Sequence, residues 1–156
     1  MRYISLNHNS QPVDFKTAVM NGLAPDKGLY FPEEIISLPK KITDNIKSIN
    51  DHELCYEVIK EYIGEYFTKD ELIQIIEKTI DFKIPLNKIG DNPIYSLELF
   101  HGPTLAFKDI GAKFLALCMD KIKNDFNSKG ITVLVATSGD TGGAVAKGFE
   151  GLDGIN

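Results

Sequence analysis

An α/β fold in two parts, a helical amino-terminal region followed by part of an open, mostly parallel sheet, is what this sequence predicts. Three observations predict it. Apolar residues recur at helical spacing through the first half, and after Pro85 strand-forming runs alternate with helical ones. Residues 131–136 are then an unbroken run of strand formers leading directly into a Gly-rich turn and another helix. The change of character near residue 90 divides the chain into a mainly helical domain over residues 1–90 and an incomplete α/β domain over residues 91–156.

Asp14 can cap a short helix carrying Phe15, Ala18 and Val19, after which Asn21, Gly22, Pro25, Gly28 and Pro32 force an irregular segment. From Asp51, Leu54, Val58 and Tyr62 repeat every four positions with Cys55, Ile59 and Ile63 beside them, a pattern that predicts a buried helical face. Thr68 and Glu71 match a capping box, in which hydroxyl and carboxylate satisfy free amides reciprocally, ahead of Leu72, Ile75, Ile76 and Ile80. Residues 94–100 read as a strand and residues 101–104 as a turn. A helix from Lys108 to Ile122 presents Ile110, Phe114, Leu117, Cys118 and Ile122 on its apolar face. The last helix is expected to begin at Gly142 or Gly143 and to stop before Gly151.

Composition excludes several classes of function. With 17 Lys+Arg against 22 Asp+Glu and no basic block, the chain lacks the charge that would neutralise a nucleic-acid backbone. No apolar run reaches the roughly 18 residues that a membrane helix needs, and residues 1–7 lack the apolar core of a signal peptide, so a cytoplasmic protein is expected. Cys55 and Cys118 fall in different helices, without metal or disulfide spacing, and read as buried thiols.

The turn over residues 137–143 is the first segment that can carry chemistry. A helix N-terminus offers unpaired amides and partial positive charge to an anion, and here Thr137, Ser138 and Thr141 add hydroxyls beside Gly139. A Gly-rich connection can also be mere geometry. Asp140 sharpens the choice, because a carboxylate in a pocket built only for phosphate would repel its ligand; it suits a proton or a cation, leaving the anion to the hydroxyls. Two familiar motifs fail. Residues 139–143 imitate the glycine-flanked serine of trypsin-like proteases but put Thr141 in place of the nucleophile, and Lys147 lacks the glycine before it and the hydroxyl after it that a P-loop requires.

The second segment places Lys108 at the start of a helix after Phe100, His101, Gly102, Pro103 and Thr104. Helix N-termini disfavour an ammonium, and burial beside Ala106, Phe107 and Ile110 would favour the neutral amine that imine formation needs. A lysine followed by Asp109 is more often a solvated surface residue, and His101 a turn or satisfied core histidine; spacing alone does not overturn these readings.

His101, Gly102, Pro103 and Thr104 with Phe107, Lys108 and Asp109, followed in order by residues 137–142, together resemble the threonine synthases, members of the tryptophan-synthase-β-like, fold-type II pyridoxal enzymes. The likeness extends to residues 22–32, where Lys27 stands at a position at which glycine is common in that family, and is only general over residues 40–90. It implies conversion of O-phospho-L-homoserine and water to L-threonine and phosphate, with Lys108 holding pyridoxal 5'-phosphate as a Schiff base and afterwards shuttling protons. By the same resemblance Thr137, Ser138, Gly139 and Thr141 would bind the amino-acid carboxylate, and Asp140, where relatives usually have asparagine, would approach the phenolic oxygen of the cofactor. No metal is implied.

A threonine or serine dehydratase of the same fold would share the lysine and the hydroxyl-rich turn, but residues 22–32 argue against it; a non-catalytic protein that recognises a phosphorylated small molecule is the alternative from another class. The resemblance also implies a cofactor-phosphate loop that nothing after Gly143 supplies. The chain is therefore expected to be an inactive fragment whose unfinished sheet favours self-association.

Overall fold

The computed structural model describes residues 1–126 and 130–156, which fall into two units, Met1–Ile76 and Glu77–Asn156.

In the first unit, strand β1 (Tyr3–Ser5) pairs antiparallel with β2 (Tyr30–Pro32), so that Tyr3 faces Pro32 and Ser5 faces Tyr30. Part of the segment expected to be irregular is therefore an edge strand: proline at its last position is compatible with an edge because no ladder bond is asked of its nitrogen. Between the two strands, α1 (Phe15–Asn21) begins as predicted, with the Asp14 carboxylate accepting the Thr17 amide at 2.8 Å. Helix α2 (Lys40–Asp44) is a short turn that buries Ile42.

Helix α3 (Asp51–Ile63) is capped by Asn50, whose side chain accepts the Glu53 amide at 2.9 Å. Its predicted apolar face is less buried than the periodicity suggests: only Ile63 is fully enclosed, Leu54, Cys55, Ile59 and Tyr62 are half-buried, and Val58 is 38% exposed. Spacing identifies the side of a helix that seeks burial, whereas the amount of burial depends on what stands opposite. Helix α4 (Lys69–Thr79) has the predicted capping box. The Glu71 carboxylate accepts the Thr68 amide at 3.0 Å while the Thr68 hydroxyl accepts the Glu71 amide at 3.3 Å. Its Leu72, Ile75 and Ile76 are buried, and Phe67, just before it, meets Phe15 edge-on at 6.3 Å.

In the second unit, β3 (Leu86–Lys88) and β4 (Tyr95–Leu97) form an antiparallel hairpin in which Leu86 faces Leu97. The strand expected over residues 94–100 is thus shorter and pairs with its immediate predecessor in sequence. Helix α5 (Lys108–Ile122) has the predicted bounds and buries Ala112, Ala116, Leu117, Cys118, Met119 and Ile122. Helix α6 (Asp140–Phe149) begins earlier than expected, at Asp140; Gly139 stands at its N-cap position, and the Thr137 hydroxyl, two residues before that, accepts the Gly142 amide of its first turn at 2.9 Å. Small residues let α5 and α6 pack closely: Ala112, Ala116 and Ala144 are buried, and the position where a Gly148 side chain would start is 3.0 Å from the Ala112 carbonyl.

Parallel pairing is present at one place among the described residues. Ile131 bridges Ile155, with the Ile131 amide donating to Gly154, the Asn156 amide to Ile131, and the Val133 amide to Asn156, each at 2.8 Å. Residues 134–136, expected to continue as a strand, form no strand in the structure, and Leu134 is 90% exposed. A parallel strand interior needs neighbours that residues 154–156 alone do not supply. Among the described residues no helix is long and apolar enough to cross a membrane.

Candidate active site

Lys108 occupies the first position of α5, and the segment leading to it is tightly folded. The Leu105 amide donates to the Gly102 carbonyl at 3.1 Å and the Asp109 amide to the Ala106 carbonyl at 3.0 Å. Leu105 has φ 58°, a left-handed conformation that disfavours an L side chain and is held here by the bonds on either side.

Asp109 closes the loop. Its carboxylate accepts both the amide of Thr104, at 2.9 Å, and the Thr104 hydroxyl, at 2.5 Å, and the residue is only 4% exposed. A buried carboxylate is costly unless its oxygens are satisfied, and a place in the first turn of a helix adds favourable electrostatics. Gly102 is required by this arrangement. A methyl group there would lie 2.5 Å from Asp109 Oδ2 and 3.0 Å from the Phe82 ring.

The surroundings of Lys108 differ from the expectation in one respect. Ala106 is buried, but Phe107 is 60% exposed, Lys108 itself is half-buried, and the lysine Nζ lies over the Phe107 ring, 4.3 Å from its centroid. Phe107 thus offers the amine an aromatic face instead of an enclosing wall. Asp109, by contrast, is buried and turned to Thr104. His101 pairs with Glu98 at 2.7 Å, and the Glu98 carboxyl is held below the usual range, first by the Asn87 side chain and then by His101.

In the second segment the Thr137 hydroxyl accepts the amides of Gly139, at 3.1 Å, and Gly142, at 2.9 Å. Two of the amides read as anion ligands therefore already have an intramolecular acceptor. Ser138, Gly139 and Asp140 are exposed and Thr141 half-exposed. The structure builds the two segments at the starts of α5 and α6; among the described residues no hydrogen bond or ion pair links Lys108 to residues 137–141. A cavity of about 180 Å³ lies instead against Asp109 and Lys113 of α5 and Lys147 and Gly148 of α6, with Lys78, Asp81 and Phe82 on its wall, and none of the predicted site residues lines it.

Gly102, Thr104 and Asp109 stand in the motif that carries the resemblance, but sequence reasoning gave them no role of their own; the structure joins them in one loop. A signal was present: an acidic residue in the first turn of a helix, with a hydroxyl residue five positions before it, can fold back to satisfy the loop.

A helix that starts at Lys108 and another that starts at Asp140 after a hydroxyl-rich turn, together with small sheets, make this an α/β protein. The sequence profile of the family described as "Threonine synthase N terminus" matches residues 2–80, and the chain belongs to that family. Over its whole length the chain is 40% identical to threonine synthase of Haemophilus influenzae, and over 99% of its length it is 34% identical to that of Escherichia coli; in each case it covers 35% of the relative. It is also similar to the crystal structure of threonine synthase from Escherichia coli, with TM-score 0.90, 33% identity and 100% of this chain covered against 36% of that one. A further similar structure is PLP-bound threonine synthase from Brucella melitensis, with TM-score 0.91, 32% identity and 100% of this chain covered against 34% of the other. The chain spans about a third of the length of the curated relatives it matches.

Proposed function

We propose that the whole protein is a threonine synthase, which converts O-phospho-L-homoserine and water to L-threonine and phosphate with pyridoxal 5'-phosphate attached to Lys108. The observation that carries this reading is the placement of Lys108: a half-buried primary amine at the first position of α5, on a loop closed by Asp109, in a chain similar along its whole length to threonine synthases. The site residues fit the cofactor, since an amine that is accessible yet held by its backbone suits attachment to an aldehyde.

The bound cofactor supplies an electron sink for carbanion chemistry. The Lys108 amine would take a proton from Cα and then one from Cβ of the substrate as phosphate leaves from Cγ, give one to Cγ, and give one back to Cα after water has added its hydroxyl at Cβ and passed its other proton to the departing phosphate. Ser138 and Thr141 donate hydroxyl hydrogens to the substrate carboxylate at the start of α6, beside the Gly139 segment. Thr137 uses its oxygen to accept two amides, and its hydroxyl hydrogen stays available as a third donor. Asp140, the first residue of α6, would approach the phenolic oxygen of the cofactor.

Residues 91–156 are assigned to the cofactor-binding domain and residues 1–90 to the amino-terminal domain. The parallel bonds between residues 131–133 and 154–156 support extension of this region into an open, mostly parallel sheet in the whole protein. The test is Lys108→Ala in the whole protein. It is expected to abolish the borohydride-reducible attachment of pyridoxal phosphate and the release of phosphate from O-phospho-L-homoserine; retention of both near the unmutated level would overturn the assignment.

A further inference from the structure

We propose that Asp109 is a positioning residue for Lys108, acting through Thr104. The inference rests on the assignment of Lys108 made above and names the device that aims its amine.

The argument starts from connectivity. Lys108 and Asp109 are adjacent, so whatever fixes the backbone at Asp109 fixes the origin of the lysine side chain. Asp109 is anchored at both ends of the loop: its amide donates to Ala106 at 3.0 Å, while its carboxylate takes the Thr104 amide at 2.9 Å and hydroxyl at 2.5 Å. Between these anchors lie Leu105, in a left-handed conformation, and Phe107, whose ring lies beneath the lysine Nζ. Releasing Thr104 from Asp109 would free Leu105 to relax toward ordinary backbone angles and would carry Phe107 and Lys108 with it. Gly102 gives this lock its close fit, since the position of a Cβ there is 2.5 Å from the carboxylate.

A carboxylate needed only to start a helix could face solvent. This one is 4% exposed and directed at the loop that delivers the lysine. Misplacement of a reacting group by about 1 Å can cost on the order of a hundredfold in rate, so a rigid loop has a chemical consequence distinct from its contribution to stability.

The experiment uses the whole protein, freed of cofactor. Pyridoxal phosphate is added, the mixture is quenched with borohydride at intervals, and the rate of attachment at Lys108 is read by peptide mapping, alongside kcat, KM and thermal unfolding. Thr104→Val removes the hydroxyl bond with little change of shape, and Asp109→Asn weakens both bonds. Each is expected to slow attachment and lower kcat by about tenfold or more with KM little changed. Thr104→Ser, which keeps the hydroxyl, is expected to recover most of the rate lost in the valine variant. A purely structural role predicts lowered unfolding temperatures with unchanged attachment rates in the folded protein, and that result overturns the proposal even if Asp109→Asn fails to fold, because Thr104→Val suffices to show it. Attachment of the cofactor at a lysine other than Lys108 in the unmutated protein would overturn the functional assignment itself, and this inference with it.

Discussion

The carboxylate of Asp109 accepts the amide and the hydroxyl of Thr104, which ties the first turn of a long helix to the loop that precedes it. Gly102 sits against the same carboxylate. Gly102→Ala places a methyl group where only 2.5 Å separates it from Asp109 Oδ2, with the Phe82 ring behind. Overpacking of this kind costs about 1–3 kcal/mol, and urea unfolding of the variant should show a loss of that size. An unchanged midpoint would mean that the loop yields without cost.

The turn before α6 makes a separable prediction. Ser138→Ala and Thr141→Val in the whole protein should each weaken O-phospho-L-homoserine binding by about 1.5–3 kcal/mol while cofactor affinity changes little. Thr137→Val should behave differently, because its oxygen also accepts the amides of Gly139 and Gly142 at the start of α6; loss of bonds of this capping kind costs about 0.5–2 kcal/mol of stability. Calorimetric titration of substrate and cofactor separates these outcomes. Loss of cofactor with intact substrate binding would reassign the turn to the cofactor phosphate.

Lys27 and Gly28 give opposite expectations from adjacent positions. Lys27 has φ 67°, the left-handed region, where an L side chain costs about 1–2 kcal/mol. Lys27→Gly should therefore stabilise the protein, by up to about 1 kcal/mol once the greater freedom of glycine in the unfolded chain is subtracted. Gly28→Ala should destabilise it, since the new carbon would stand 2.0 Å from Ser5 Oγ, the group that donates to Asp26 at 2.6 Å. Paired melting curves test both signs at once.

Asp26 links acid sensitivity to this same turn. Its carboxyl is held below the ordinary aspartate value of 3.8, chiefly by the Ser5 hydroxyl and then by the amides of Gly28 and Asn9. A carboxyl whose value is lower in the folded state contributes stability that is fully present above its unfolded value and is lost as pH falls through its folded value. Melting temperature should therefore drop below about pH 4, and Asp26→Asn should be less stable near neutrality with a shallower decline in acid. A variant that kept the full acid-dependent drop would show that other carboxyls set it.

The two cysteines should be distinguishable by reactivity. Cys118 is fully buried in α5, and burial pushes its thiol up to about 12; Cys55 is half-buried, with a smaller rise caused first by burial and then by Asp51. A thiol reagent at neutral pH should modify Cys55 first and reach Cys118 only on unfolding. Rapid modification of both would indicate that α5 opens in the native state.

The sequence by itself determined the features that depend on near neighbours. The cap at Asp14, the reciprocal bonds of Thr68 and Glu71, the bounds of the helix from Lys108 to Ile122, and the place of Lys108 at its start all follow from contacts within a few residues. The order of the motifs was also legible, and it pointed to the family that the matching profile shows. Tertiary structure decided what depends on partners remote in the chain. Among the described residues it paired β1 with β2, placed parallel bonding between residues 131–133 and 154–156, and left Val58 and Phe107 exposed. Periodicity shows which side of an element seeks an apolar partner, and charge shows which group seeks a polar one. Whether the partner is there is set by the packing of segments far apart in sequence, and burial and strand pairing, unlike capping and helix bounds, are properties of that packing.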